Sequence, residues 1–119
     1  MPAITPNLEF KNVSREWRCK FDPSEDISES SSLIALQEAL NKILPSLKTV
    51  EGIVSVHRIV CAECFDFKVI VALDEVSFAH WEADDEAGLP KIEKTFMEEL
   101  NNIEGVSRIE AQTFTLAEL

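Results

Sequence analysis

The sequence predicts an α+β domain built from two βαβ halves, on three observations. First, the stretch Leu47-Lys48-Thr49-Val50-Glu51-Gly52-Ile53-Val54-Ser55-Val56 returns 53 residues later as Leu100-Asn101-Asn102-Ile103-Glu104-Gly105-Val106-Ser107-Arg108-Ile109. Second, each copy follows an apolar stripe at helical spacing and opens an alternating, strand-like run. Third, the chain has only three glycines, and Gly52 and Gly105 hold the same place in the two copies. Each sits where a helix ends and turns into a strand.

The elements follow in order. Residues 1–12 read as an N-terminal arm with two prolines and no clear period, and 13–119 as a single domain. Trp17, Cys19 and Phe21 alternate with Glu16, Arg18 and Lys20, the pattern of a half-buried strand. Asp22-Pro23 ends it, and Ser24 to Ser32 forms an acidic, serine-rich loop. A helix capped by one of Ser30, Ser31 or Ser32 carries the stripe Leu33, Leu36, Leu40, Ile43, Leu44 and Leu47. Pro45 lacks the backbone donor a helix needs and predicts a kink or break there. Strands follow at about Ile53–Val60 and Phe65–Leu73, with Cys61-Ala62-Glu63-Cys64 at the hairpin tip. Asp74 caps a short helical stretch bearing Val76, Phe78 and Trp81, and an acidic loop runs from Glu82 to Gly88. Leu89-Pro90 starts a second long helix, proline being suited to a first turn. Ile92, Phe96, Leu100 and Ile103 are its core stripe, and a last strand spans about Val106–Leu116.

The order β-α-β-β-α-β is that of the ferredoxin-like sandwich. Right-handed crossovers with parallel pairing inside each half are expected to give an antiparallel sheet with both helices on one face. Arg18, Lys20, Asp66, Lys68, Ile70, Glu110 and Gln112 then point to the open face.

Composition narrows the function. Hydrophobic residues make up 45% of a chain of 119, enough for one core without staples. The net charge is −11, with 22 acids against 11 bases, which excludes a phosphate-backbone surface and hence nucleic acid as a partner. No apolar run reaches the ~20 residues of a membrane span. The N-terminus shows neither a secretory nor a transit pattern, so the expected location is the cytoplasm. Three cysteines without a secretion signal read as reduced thiols.

Candidate chemistry is sparse. His57, Cys61 and Cys64 have the residue types of three zinc ligands, a fourth having to come from Cys19 or His80. Without it the thiols are ordinary and no cofactor is expected. A redox dithiol at Cys61 and Cys64 lacks a helix dipole or a basic neighbour to lower a thiol pKa. Glu82, Asp84, Asp85 and Glu86 lack the ligand spacing of a calcium loop. No glycine-rich phosphate cradle and no nucleophile elbow exist, and no residue set marks the chain as an enzyme.

Three stretches carry a family resemblance. They are Cys19-Lys20-Phe21-Asp22-Pro23-Ser24-Glu25-Asp26, the hairpin from Ile59 to Val71, and Phe96-Met97-Glu98-Glu99-Leu100-Asn101-Asn102-Ile103-Glu104-Gly105-Val106. Together they resemble the C-terminal guanine-nucleotide-exchange domain of translation elongation factor one-beta. The resemblance implies an elongation-factor GTPase as partner and Phe65, Asp66, Phe67, Lys68, Thr113 and Phe114 as the partner-binding residues. An exchange factor needs no catalytic residues, only differential affinity for the nucleotide-poor state. Two positions depart from the family: cysteines and Ala62-Glu63 stand where its hairpin carries glycine, and no lysine follows Lys94. The alternative is a ligand-binding or self-associating domain of the dimeric α/β-barrel type, a homodimer whose open sheet faces bury Ile70.

Overall fold

The computed structural model describes residues 3–5, 8–9, 12–22, 30–83 and 88–115, with the backbone alone at 3–5, 8–9 and 80–83. The serine-rich loop, the Glu82–Gly88 loop apart from its ends, the tail from Leu116, and the side chains of His80 and Trp81 lie outside the described residues. The elements are β1 (Ala3–Thr5), β2 (Leu8–Glu9), β3 (Asn12–Lys20), α1 (Ser31–Leu47), β4 (Ile53–Cys61), β5 (Asp66–Asp74), α2 (Glu75–Ala83), α3 (Leu89–Asn101) and β6 (Ser107–Thr115). Within residues 1–12, β1 and β2 form a short antiparallel pair of their own.

The main sheet has the order β4-β5-β3-β6, with every neighbouring pair antiparallel. This is the ferredoxin-like fold, but the expected parallel pairing inside each half does not occur. The two strands of a half do point the same way, yet a strand of the other half lies between or beside them. A helix is ~10 Å wide and strands lie ~4.8 Å apart, so a crossover helix naturally skips one strand position. The halves are interleaved.

One face of the sheet and the helices make the core. Trp17, Cys19 and Phe21 from the β3 region join Phe67, Val69, Val71 and Leu73 of β5, all buried. Against them pack Leu36, Leu40, Ile43 and Leu47 of α1, and Leu89, Phe96 and Leu100 of α3. The Trp17 and Phe96 rings lie 5.4 Å apart at 45°. Arg15 fastens β3 to α3 through a two-pronged grip on Glu93, with Nε–Oε2 at 2.9 Å and Nη2–Oε1 at 2.7 Å.

The helix ends follow the sequence signals with one exception. Ser30 caps α1, its hydroxyl accepting from the Leu33 amide at 3.3 Å. Asp74 caps α2, accepting from the Ser77 amide at 2.8 Å. Pro45 does not end α1, which continues to Leu47. Only two residues follow the proline, and Leu47 is fully buried, so packing outweighs the lost bond.

The sequence repeat is a repeated corner. In the first copy the Val50 amide bonds the Leu47 carbonyl, and Ile53 bonds Val50. In the second, Ile103 bonds Leu100 and Val106 bonds Ile103. Gly52 and Gly105 both have φ +90, a left-handed value that favours glycine. Space demands glycine too. A Cβ at Gly52 would stand 1.9 Å from the Ser77 hydroxyl, and one at Gly105 2.2 Å from an Asp22 carboxylate oxygen. Each corner thus presses on the strand-to-helix junction of the other half.

Candidate functional site

Strand register sorts the face turned away from α1 and α3 into four rows across β4, β5, β3 and β6. The first row holds Ser55, Ala72, Ser14 and Phe114, and the second His57, Ile70, Glu16 and Gln112. The third holds Ile59, Lys68, Arg18 and Glu110, and the fourth Cys61, Asp66, Lys20 and Ser107. The face is therefore polarised. Small, apolar and amide side chains prevail at one end, with His57 and Glu16 in its second row, while ion pairs occupy the other.

At the charged end, Arg18 gives both Nε (3.0 Å) and Nη2 (2.5 Å) to Glu110 Oε2. That hydrogen bond, helped by the charge of Glu110, raises the Arg18 pKa above its ordinary value. Lys20 bridges Asp66 at 2.6 Å and donates to the Cys64 carbonyl at 2.9 Å. Away from that end, Glu16 in the second row is only 5% exposed and Ser14 in the first 1%. A buried carboxylate needs partners. Glu16 accepts from the Gln112 amide and has Lys68 at 3.7 Å.

β6 departs from regular register opposite Cys19. Arg18 pairs with Glu110 and Lys20 with Ser107, so Arg108 and Ile109 together face one residue of β3. This is a β-bulge, with Arg108 at φ +52, a conformation β-bulges of this kind usually give to glycine. Sequence alternation cannot show a one-residue insertion, so Arg108 gave no signal. A recess of about 220 Å³ opens beside it, lined by Arg18, Cys19, Lys20, Asp66, Lys68, Arg108 and Glu110.

The expected partner-binding residues do not share a surface. Phe67 is in the core, and Thr113 lies on the helix-facing side, where it accepts from Arg15 Nη1 at 3.0 Å. Phe65, at φ +58, sets its ring edge-on against Phe21 with centroids 6.0 Å apart. Asp66 and Lys68 face the open side, but Phe114 is at its opposite end, across from Ser14. The zinc ligands do not converge either. His57 and Cys61 stand four residues apart on one strand, ~13 Å of extended chain. Among the described residues no group of three metal-ligating side chains forms. Cys61 and Cys64 are joined as a disulfide with Cα atoms 5.3 Å apart, a correction to the expected reduced thiols. The tight turn from Ala62 to Phe65 brings them together. Cys19 is the free cysteine, and burial, with Asp66 adding to it, pushes its pKa up to about 12.

Two further features lie outside the open face. A groove of about 650 Å³ runs between α1 and α3, with Ile43, Val50 and Ile92 on its walls. The Trp17 indole N–H is the one buried side-chain polar atom among the described residues with no hydrogen-bond partner. No helix among the described residues is long and apolar enough to cross a membrane.

The sequence matches no family model and no curated protein. Solved structures do match. SnoaB of Streptomyces nogalater, a cofactor-independent oxygenase, is 13% identical with a TM-score of 0.55, covering 92% of this chain and 96% of its own. A Caulobacter crescentus protein provisionally named an antibiotic biosynthesis monooxygenase is 10% identical with a TM-score of 0.60, over 92% of both chains. Its Deinococcus radiodurans counterpart is 13% identical with a TM-score of 0.59, over 91% of this chain and 94% of that one. These likenesses run the length of the fold and overturn the resemblance to the elongation-factor exchange domain, and the GTPase partner inferred from it falls with it. At such identities they establish the ferredoxin-like fold alone.

Proposed function

We propose that the chain is a self-associating, ligand-binding domain of the dimeric α/β-barrel type, in which two copies meet through the open faces of their sheets. The polarised face carries this reading. Ile70, Ala72 and Phe114 form a low-charge end around the buried Ser14 and Glu16, with the exposed ion pairs set apart from it. Ile59, at the border, is 43% exposed. A two-fold axis through the low-charge end would lay each copy's patch on its twin and keep the charged ends apart. Four strands of nine residues present a face of roughly 30 by 19 Å. That is the small end of specific interfaces, so association in the micromolar range is expected.

Light scattering after gel filtration tests it. The expected mass is twice the 13.4 kDa of the chain, returning to a single chain with Ile70→Asp. A single-chain mass for the unmodified protein at 100 μM would dismiss the pairing.

A second reading concerns the ligand: a small organic molecule held between sheet and helices. The observation favouring it is the Trp17 indole N–H, buried without an acceptor. A ligand carbonyl or hydroxyl would supply one, and an unmet buried donor costs ~1–3 kcal/mol. Titrating a panel of aromatic ketones and phenols should move the Trp17 indole N–H resonance downfield. No movement across the panel would remove this reading.

A further inference from the structure

Cations are scarce in this chain, and four of the eleven line one recess. Acids outnumber bases by 22 to 11 overall. The recess at the charged end of the open face reverses that ratio, with Arg18, Lys20, Lys68 and Arg108 against Asp66 and Glu110. Counting Glu16 behind Lys68 still leaves one more cation than acid. Like charges placed together in a small space cost energy unless something neutralises them.

The cations fall into two sets. Arg18 and Lys20 are already held, by Glu110 and Asp66, at 2.5 and 2.6 Å. Those carboxylates fix the direction of two side chains that would otherwise be mobile. Lys68 has a carboxylate only at the loose distance of 3.7 Å, and Arg108 has no hydrogen bond or ion pair among the described residues. Arg108 is also the residue at the bulge, in a left-handed conformation that a non-glycine residue adopts at a cost. Bulges re-aim side chains, and here the re-aimed side chain is a guanidinium on the rim of a recess.

We propose that this recess binds a small oxyanion, the phosphate or carboxylate group of an organic molecule. Arg108 and Lys68 supply the free donors, and Arg18 and Lys20, held by their carboxylates, supply field. Guanidinium donors match the paired oxygens of either group. A volume of about 220 Å³ admits such a group with a few further atoms. All seven lining residues come from one copy of the chain, so the site does not depend on pairing.

Amide and side-chain NMR titration at constant ionic strength tests it, using inorganic phosphate in one arm and acetate in the other. The expected result is a saturating shift in at least one arm, confined to Arg18, Cys19, Lys20, Asp66, Lys68, Arg108 and Glu110. The arm that saturates at lower concentration identifies the anion. Arg108→Gln should weaken binding about tenfold, while Lys91→Gln, in the distant α1–α3 groove, should leave it unchanged. A matching thermal unfolding curve for Arg108→Gln excludes loss of fold as the cause. Non-saturating or scattered shifts in both arms would overturn the proposal, and so would an unaltered affinity in Arg108→Gln. The Ile70→Asp protein should bind as the original does; loss there would overturn the single-copy site, whatever the mass of the original in solution.

Discussion

Side chains at the charged edge carry opposite relations to their surroundings. Cys19 is fully at home, its thiol in the core and its pKa raised to about 12, chiefly by burial. The folded state keeps a proton that the unfolded chain gives up above about pH 9, so stability is present below that pH and is lost on rising toward 12. Urea midpoints should fall more steeply between pH 9 and 11 than in Cys19→Ala, and equal slopes would contradict the assignment. A thiol reagent should find no reactive group in the native oxidised protein, and two, Cys61 and Cys64, after mild reduction. Arg108 is the reverse case, a residue in a conformation it does not favour. Arg108→Gly should raise unfolding free energy by about 1 kcal/mol in urea melts while weakening phosphate binding, the usual exchange between stability and a site. Cys19 was legible from simple alternation along β3. Arg108 was not, because a bulge breaks the period on which alternation rests.

The corners joining helix to strand were the most legible elements in the sequence. A repeated Glu-Gly pair after a helical stripe has few other meanings, and both corners make the same bonds. Gly52→Ala and Gly105→Ala should each destabilise by about 2 kcal/mol or more, combining an unfavourable φ with a Cβ inside another residue's contact distance. Thermal or urea unfolding checks both, and a neutral result at either would mean the corner opens at no cost. The Arg15–Glu93 grip is half-buried and two-pronged, so Glu93→Ala should cost about 1 kcal/mol. Pro45 shows where local rules mislead: a proline near a helix end loses to one well-buried leucine. The Cys61–Cys64 pair was misread because spacing gives no account of the turn that closes it.

Across the molecule, element types were legible but strand order was not. Hydrophobic periods say which residues face a core; they are silent on which strand lies beside which. Function was less legible again, because the functional reading leaned on residue types in a hairpin that the fold divides between core and surface. The two proposals for the open face separate cleanly: Ile70→Asp should give single chains that still bind the anion, and Arg108→Gln a double mass that binds it poorly. The interleaved strand order also governs how the chain acquires its shape. β3 and β4 are not neighbours, and each waits for β5 to enter between them or beside them. A chain emerging in order has no long pairing in its main sheet until residue 74 is available, and the β3–β6 ladder joins Val13 to Thr115. Hydrogen bonds with so long a reach form late and together, so folding is expected to be slow for this size and all-or-none. If the chain is cut within the turn between β4 and β5 and the disulfide reduced, neither fragment should hold structure alone. Mixed, the two should restore it.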